Sequence, residues 1–299
     1  MQSLLRAGTL ARQIPSRLPT SRQLHFFAAA PRHGLNSQFF SASRRATNDK
    51  YQTLKRGFGN YGGWNPQSRY ASSNRMLSAL VIINTSVFCT WYYASATNDN
   101  KLFRYLRENA VLSWSNIKAN RYWTLVTSAF SHQGFSHILF NMLALNTFGG
   151  VLCVAGGVGV GAPHVAALFL GSALAGSAAF LYQKKPQIDK RWGPFARHGL
   201  ASSPECIGAS GAVMGFATAA TCLAPLAHIR FILIPIGIPM FVLTGGYIAA
   251  DLFYLGKNDL IGHSAHLGGA LFGAAYYLAL LRRFGGLSHV VRHWTRRRY

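Results

Sequence analysis

Charged residues are scarce in this 299-residue chain, at 12% of the sequence, and acidic ones scarcer still: 7 Asp and Glu stand against 30 Lys and Arg. With 50% hydrophobic residues, that balance excludes an ordinary soluble protein and points to a membrane chain of one or two domains. The formal charge of +23 would suit a polyanion, but the basic residues flank apolar runs. No aromatic and basic interleaving stands out, so nucleic acid is not an expected partner. Four cysteines, Cys89, Cys153, Cys206 and Cys222, form no closely spaced pair and read as small apolar residues. There is no HExxH, and His132 and His137, five apart, do not make a zinc pair; neither metal nor cofactor is expected. The run Gly156, Gly157, Gly159, Gly161 lacks the Lys and Ser/Thr that end a phosphate loop and reads as a tight turn. No internal repeat is visible, which counts against a small-molecule transporter.

No acidic residue precedes Asp49, while Arg6, Arg12, Arg17, Arg22, Arg32, Arg44 and Arg45 and several serines do. An Arg-rich, Ser-rich, acid-poor start is the composition of a mitochondrial targeting peptide, expected over residues 1–50. A secretory signal would need a continuous apolar core near the start, and residues 24–30 are too short and too late. Residues 51–75, with Gly57, Gly59, Gly62, Gly63 and Pro66, read as a linker.

Six later segments are apolar enough for membrane helices, which need about 20 residues each. They run over residues 76–96, 136–155, 163–182, 206–226, 229–254 and 260–281, with a polar loop at 183–205 and a basic tail at 283–299. The expected fold is an all-α membrane protein, a polytopic bundle of six transmembrane helices over residues 76–282. If the chain starts on one side, the second, fourth and sixth spans all begin on the opposite face. His137 and Asn141 then lie at the start of span two, Ser210 one turn into span four, and His266 one to two turns into span six. At 1.5 Å per residue, all four fall within roughly 10 Å of one membrane surface.

That set suits hydrolysis inside the bilayer, where polar groups are costly and functional by default. A serine hydroxyl needs a base within reach, and a neutral His266 is one. The oxyanion formed by attack needs donors, for which His137, Asn141 and the Ser210 N–H are candidates. Gly208 and Gly211 let the backbone approach closely beside Ser210. Gly269 and Gly273, on the His266 face, would let span six pack tightly on span four. Each residue also has a bland reading: a serine among Gly and Ala packs helices, and a membrane histidine bridges them. Asp251, near the end of span five, is either a third catalytic member or a buried hydrogen-bonding partner, since no spacing ties it to His266. His263 reads as an interfacial residue.

Three ordered motifs match a known family: Ser131-His132-Gln133-Gly134-Phe135-Ser136-His137-Ile138-Leu139-Phe140-Asn141, then Gly208-Ala209-Ser210-Gly211, then Ala265-His266-Leu267-Gly268-Gly269 with Gly273. The chain resembles the rhomboid intramembrane serine proteases, and its mitochondrial branch in particular. The resemblance implies a six-helix core and a Ser210 and His266 dyad without a required carboxylate. It also implies an oxyanion site from His137, Asn141 and the Ser210 amide, and a lateral gate near span five and residues 256–262. The partners so implied are the lipid bilayer and single-pass transmembrane substrates, in the mitochondrial inner membrane. Two departures stand out: Trp123 is followed by Thr124 where many members have arginine, and Met214 stands where bacterial members often have an aromatic residue. No additional helix is evident before Met76. The competing reading is a catalytically inactive rhomboid-like binder of membrane helices in quality control, a class that usually lacks the serine or histidine present here.

Overall fold

Residues 67–75 are polar but contain no helix breaker, and Pro66 suits a first helical turn, where its missing N–H has no partner to lose. They join the apolar run after them in one 31-residue helix, α1 (Pro66–Ala96), which therefore starts ten residues earlier than the apolar pattern alone implies and takes in the end of the expected linker. The computed structural model describes residues 66–154, 160–185, 204–231, 234–257 and 261–287. The expected targeting peptide, most of the polar loop and most of the basic tail lie outside the described residues.

After α1 the chain turns at Asn98, in the left-handed region at φ 53°. The Asp99 carboxylate then caps α2 (Asn100–Ala110), accepting from the N–H of Lys101 and Leu102 at 3.1 and 3.0 Å. Two short helices follow, α3 (Trp114–Lys118) and α4 (Thr124–Thr127), with a 3-10 turn at Ser128–Phe130. The sequence offers no periodic signal for these two short helices, and specific polar contacts hold them. Asn116 Nδ2 donates to the Arg107 and Val111 carbonyls at 3.0 and 2.7 Å. Arg121 donates to Asn116 Oδ1 at 3.1 Å and to Glu108 at 2.7 Å. An arginine thus shapes this loop two residues before Trp123 rather than one residue after it. The strand β1 (Leu112–Ser113) pairs antiparallel with β2 (Glu205–Cys206), Leu112 opposite Cys206, and ties the connection to the chain just ahead of Ser210.

The remaining elements are α5 (Phe135–Val154), α6 (Ala162–Gln183), α7 (Ser210–Leu223), the hairpin β3 (His228–Phe231) with β4 (Ile234–Pro239), α8 (Met240–Tyr254) and α9 (His263–Tyr276). A π turn at Tyr277–Leu281 and a 3-10 turn at Arg282–Phe284 prolong α9. Among the described residues, four helical stretches are long and apolar enough to cross a membrane: Ser68–Ala96, Phe135–Val154, Ala162–Gln183 and His263–Phe284. The other two of the six expected spans are shorter, with 14 residues in α7 and 15 in α8. At 1.5 Å per residue α7 is about 21 Å long. It begins late because β2 and the turn at Gly208 (φ +116°) occupy the residues before it, and it stops ahead of Pro225. The expected helix start at residue 229 is overturned. Ile234-Pro235-Ile236-Gly237-Ile238-Pro239 alternates β-branched residues with two prolines, a strand pattern that a helix cannot accommodate.

The architecture is a polytopic helical membrane bundle built around α7, whose residues from Gly211 to Ala220 are all buried. Its neighbours approach to backbone contact. A Cβ built on Gly269 would overlap the Gly211 carbonyl oxygen, and one on Gly273 that of Gly215. On the α6 side, a Cβ on Gly176 would stand 2.7 Å from the Ala265 carbonyl oxygen. Without a hydrophobic drive between helices in lipid, such close packing by small residues is what holds them together. Outward, Ile82, Phe140, Leu174, Phe253 and Leu271 are exposed, as lipid-facing side chains are.

Candidate active site

Ser210 is the first residue of α7, not one turn inside it. The two amides before it are engaged: Gly208 N–H donates to the Ser128 carbonyl at 2.9 Å, and Ala209 N–H to His132 Nε2 at 3.2 Å. The first helical bond runs from Val213 N–H to the Ala209 carbonyl at 2.9 Å. That leaves the N–H groups of Ser210, Gly211 and Ala212 without a helical acceptor, at the positive end of the helix dipole. An anion forming beside Ser210 would therefore meet donors already in place.

His132 sits in the loop before α5, fully buried. Burial, with a smaller push from nearby His137 and against a pull from the Phe130 backbone, lowers its pKa to about 3. The ring is neutral at physiological pH, and its Nε2 accepts the Ala209 N–H, so the proton is on Nδ1. Its place here is to hold the backbone just ahead of Ser210, a role its motif position did not announce.

His137 stands in the first turn of α5, its ring edge-on to His132 with centroids 4.9 Å apart. It covers Gly208 so closely that a Cβ there would lie 2.6 Å from its Cε1. Asn141, one turn on and buried, donates one amide hydrogen to the His137 carbonyl at 2.8 Å, and its second remains for another acceptor.

His266 lies in the first turn of α9, because that helix starts at His263 rather than at residue 260. Its neighbour Ala265 and Ser210's neighbour Gly211 meet backbone to backbone: a Cβ on Gly211 would stand 3.1 Å from the Ala265 carbonyl oxygen. The two partly buried side chains, Ser210 and His266, thus leave adjoining backbones. Among the described residues, no hydrogen bond joins them.

The largest difference from the sequence reading concerns Asp251 and His263. Asp251 is buried near the end of α8, and its Oδ1 lies 2.7 Å from His263 Nδ1 and 3.0 Å from His266 Nδ1. His263, the first residue of α9, is buried and stacked on Tyr254. A signal for Asp251 was present, since it is a carboxylate inside an apolar run. Its partners were hidden because nothing in sequence says how α8 is turned against α9. The three groups hold donor atoms within 4.8 Å of one another, a set of zinc-type ligands. Both imidazoles already direct Nδ1 at the carboxylate, which satisfies all three without a cation.

Residues 119–283, more than half of the chain, match the family description "Rhomboid domain". The chain belongs to the rhomboid family. It is similar to the rhomboid-like protein 12, mitochondrial, of Arabidopsis thaliana, at 31% identity over 71% of this chain and 60% of that protein. It is equally similar to rhomboid protein 1, mitochondrial, of Saccharomyces cerevisiae, at 31% identity over 67% of this chain and 52% of that one. The human presenilin-associated rhomboid-like protein, mitochondrial, is 26% identical over 71% of this chain and 49% of its own length. The chain thus spans about half to three fifths of these relatives. As a rhomboid of the mitochondrial group, it is a multi-pass membrane protein of that organelle.

Proposed function

We propose that this rhomboid is an intramembrane serine endopeptidase of the mitochondrial inner membrane, cleaving membrane-anchored proteins in or near their transmembrane segment. The observation that carries the reading is Ser210 at the positive head of α7, in backbone contact with the helix that bears His266. In this reading the Ser210 hydroxyl loses its proton to His266 as its oxygen attacks the substrate carbonyl. The Ser210 N–H, His137 and Asn141 hold the resulting oxyanion, a contribution of about 3–4 kcal/mol per donor in comparable sites. His266 then returns the proton to the leaving amine, and water releases the acyl group by the same steps in reverse order. Gly211, Gly269 and Gly273 serve by removing side chains from the space between the two helices, and Gly208 by leaving room for the His137 ring.

Substrate peptide bonds in a helix are shielded by their own hydrogen bonds, so helix-breaking residues near the cut should favour cleavage. With an even number of crossings and a matrix N-terminus, the site opens toward the intermembrane space. The missing Ser210 to His266 hydrogen bond is the observation that favours the inactive membrane-helix binder. A fluorophosphonate probe and a transmembrane substrate separate the two readings. The protease labels at Ser210 and cleaves, and Ser210→Ala does neither. A folded wild-type protein that stays unlabelled and inert would leave only the binder.

A further inference from the structure

The Asp251 carboxylate is only 5% exposed, lies on a helix in a low-dielectric bundle, and receives two imidazoles on a single oxygen. We propose that Asp251 is a positioning residue for His266, and that His263 is the anchor that keeps it there. The unit would then be a Ser210, His266 and Asp251 triad rather than a dyad. This rests on the proteolytic reading of Ser210 and goes beyond the site that reading needs.

An ionised carboxylate can only accept hydrogen bonds, so the His266 Nδ1 that stands 3.0 Å from it carries the hydrogen. The other nitrogen, Nε2, is then left with its lone pair, the form able to take a proton from a serine hydroxyl. When it does so, the imidazolium forms beside a fixed negative charge instead of in apolar surroundings. A carboxylate that holds a catalytic imidazole in one tautomer and orientation is the role of the aspartate in serine hydrolases of other folds.

His263 explains how the carboxylate stays aimed. The outer face of α8 is exposed, with Leu252 and Phe253 turned away from the bundle, so a single bond to His266 would leave Asp251 free to follow either partner. His263 lies three residues before His266 on α9, where i and i+3 side chains share a face. It is buried, its ring is stacked on Tyr254 at 5.7 Å between centroids, and its Nδ1 is 2.7 Å from the same oxygen. The two histidine rings stand nearly perpendicular, at 84°, which lets both approach one oxygen without touching. His263 is thereby fixed by packing, Asp251 by His263, and His266 by Asp251.

The test uses the full chain reconstituted in liposomes with a transmembrane substrate, and compares Asp251→Asn, Asp251→Glu, His263→Asn and His263→Leu. Asp251→Asn is expected to lower kcat by at least about 10²-fold, toward the roughly 10⁴-fold seen when such a carboxylate is neutralised, with KM changed less than about twofold. Asp251→Glu should recover at least about tenfold over Asp251→Asn. His263→Asn keeps an N–H donor where Nδ1 stands and should lose less activity than His263→Leu. Nitrogen-15 spectra should show His266 protonated on Nδ1 in the wild type and redistributed in Asp251→Asn. An Asp251→Asn protein with wild-type unfolding temperature and kcat within about threefold of wild type overturns the proposal. So does an unchanged His266 tautomer, a reading that needs no activity and applies even if the protein proves to be an inactive binder. If Asp251→Asn does not fold, the two His263 variants decide: equal kcat in both would remove the anchor and the proposal with it.

Discussion

Gly176 lies on α6, outside the candidate site, yet its replacement by alanine should reach the chemistry. A Cβ at that position would stand 2.7 Å from the carbonyl oxygen of Ala265, about 0.7 Å short of the 3.4 Å at which ordinary contact begins. The obstacle is backbone, not a side chain that can rotate away, so α9 or α6 must move. The displaced residue is the immediate neighbour of His266. A misplacement of about 1 Å at a catalytic group can lower a rate about a hundredfold, so a shift of about 0.7 Å should lower cleavage by at least about tenfold. Overpacking of this kind destabilises by about 1–3 kcal/mol, offset by about 0.5–1 kcal/mol from replacing a helical glycine. The net expectation is a loss of up to about 2.5 kcal/mol, smaller in proportion than the loss of activity. Thermal unfolding in detergent and initial rates on a transmembrane substrate measure the two. Gly246→Ala on α8, where an added Cβ meets nothing within 4 Å, is the matched control and should leave the rate unchanged. A Gly176→Ala protein with wild-type unfolding temperature and wild-type rate would refute the argument that backbone contact sets the position of His266.

Gly208→Ala combines an unfavourable φ of +116° with a Cβ 2.6 Å from the His137 ring. It should cost about 1–3 kcal/mol in strain and depress cleavage strongly, which the same two assays would register. His132, with its pKa lowered to about 3, makes the fold sensitive to acid. Above about pH 6.5 both folded and unfolded states hold the ring neutral; below it only the unfolded chain gains a proton, so stability falls, by about 2 kcal/mol at pH 5, and goes on falling toward pH 3. Unfolding curves at pH 7.5 and 5 should show that slope, and His132→Gln should reduce it. Asn116→Ala removes two donated hydrogen bonds and the acceptor for Arg121, and should destabilise by about 2–4 kcal/mol with increased proteolysis of the connection between α1 and α5.

The spans of α5 and α6 were legible because each is a continuous apolar run of spanning length, and their observed ends fall within one residue of the expected ones. The polar residues at the heads of α5, α7 and α9 were legible for a related reason: counting crossings fixes which ends share a surface. What failed did so for local reasons. Apolarity alone does not separate a helix from a hairpin, and the alternation of isoleucine with Pro235 and Pro239 was the signal that would have done so. The extended start of α1 was hidden because polar residues continue a helix as readily as apolar ones. The pairing of Asp251 with two histidines depends on the rotation of one helix against another, which spacing along the chain does not carry. Likewise the turns around α3 and α4, held by Asn116 and Arg121, are a set of polar contacts with no periodicity to read, whereas α2 before them does carry a helical period in Leu102 and Leu106.

At about 21 Å, α7 falls short of the roughly 30 Å of hydrocarbon in a bilayer. Both of its ends therefore cannot touch bulk solvent in a membrane of ordinary thickness. The polar lining falls at one end, where His132, His137 and His266 surround the head of the helix. Water that reaches Ser210 would enter from that end, as a dimple in the apolar slab rather than a channel through it. On the proposed reading of Ser210, a short central helix of this kind would supply what hydrolysis in lipid requires, access for a few water molecules from one side of a membrane that remains sealed.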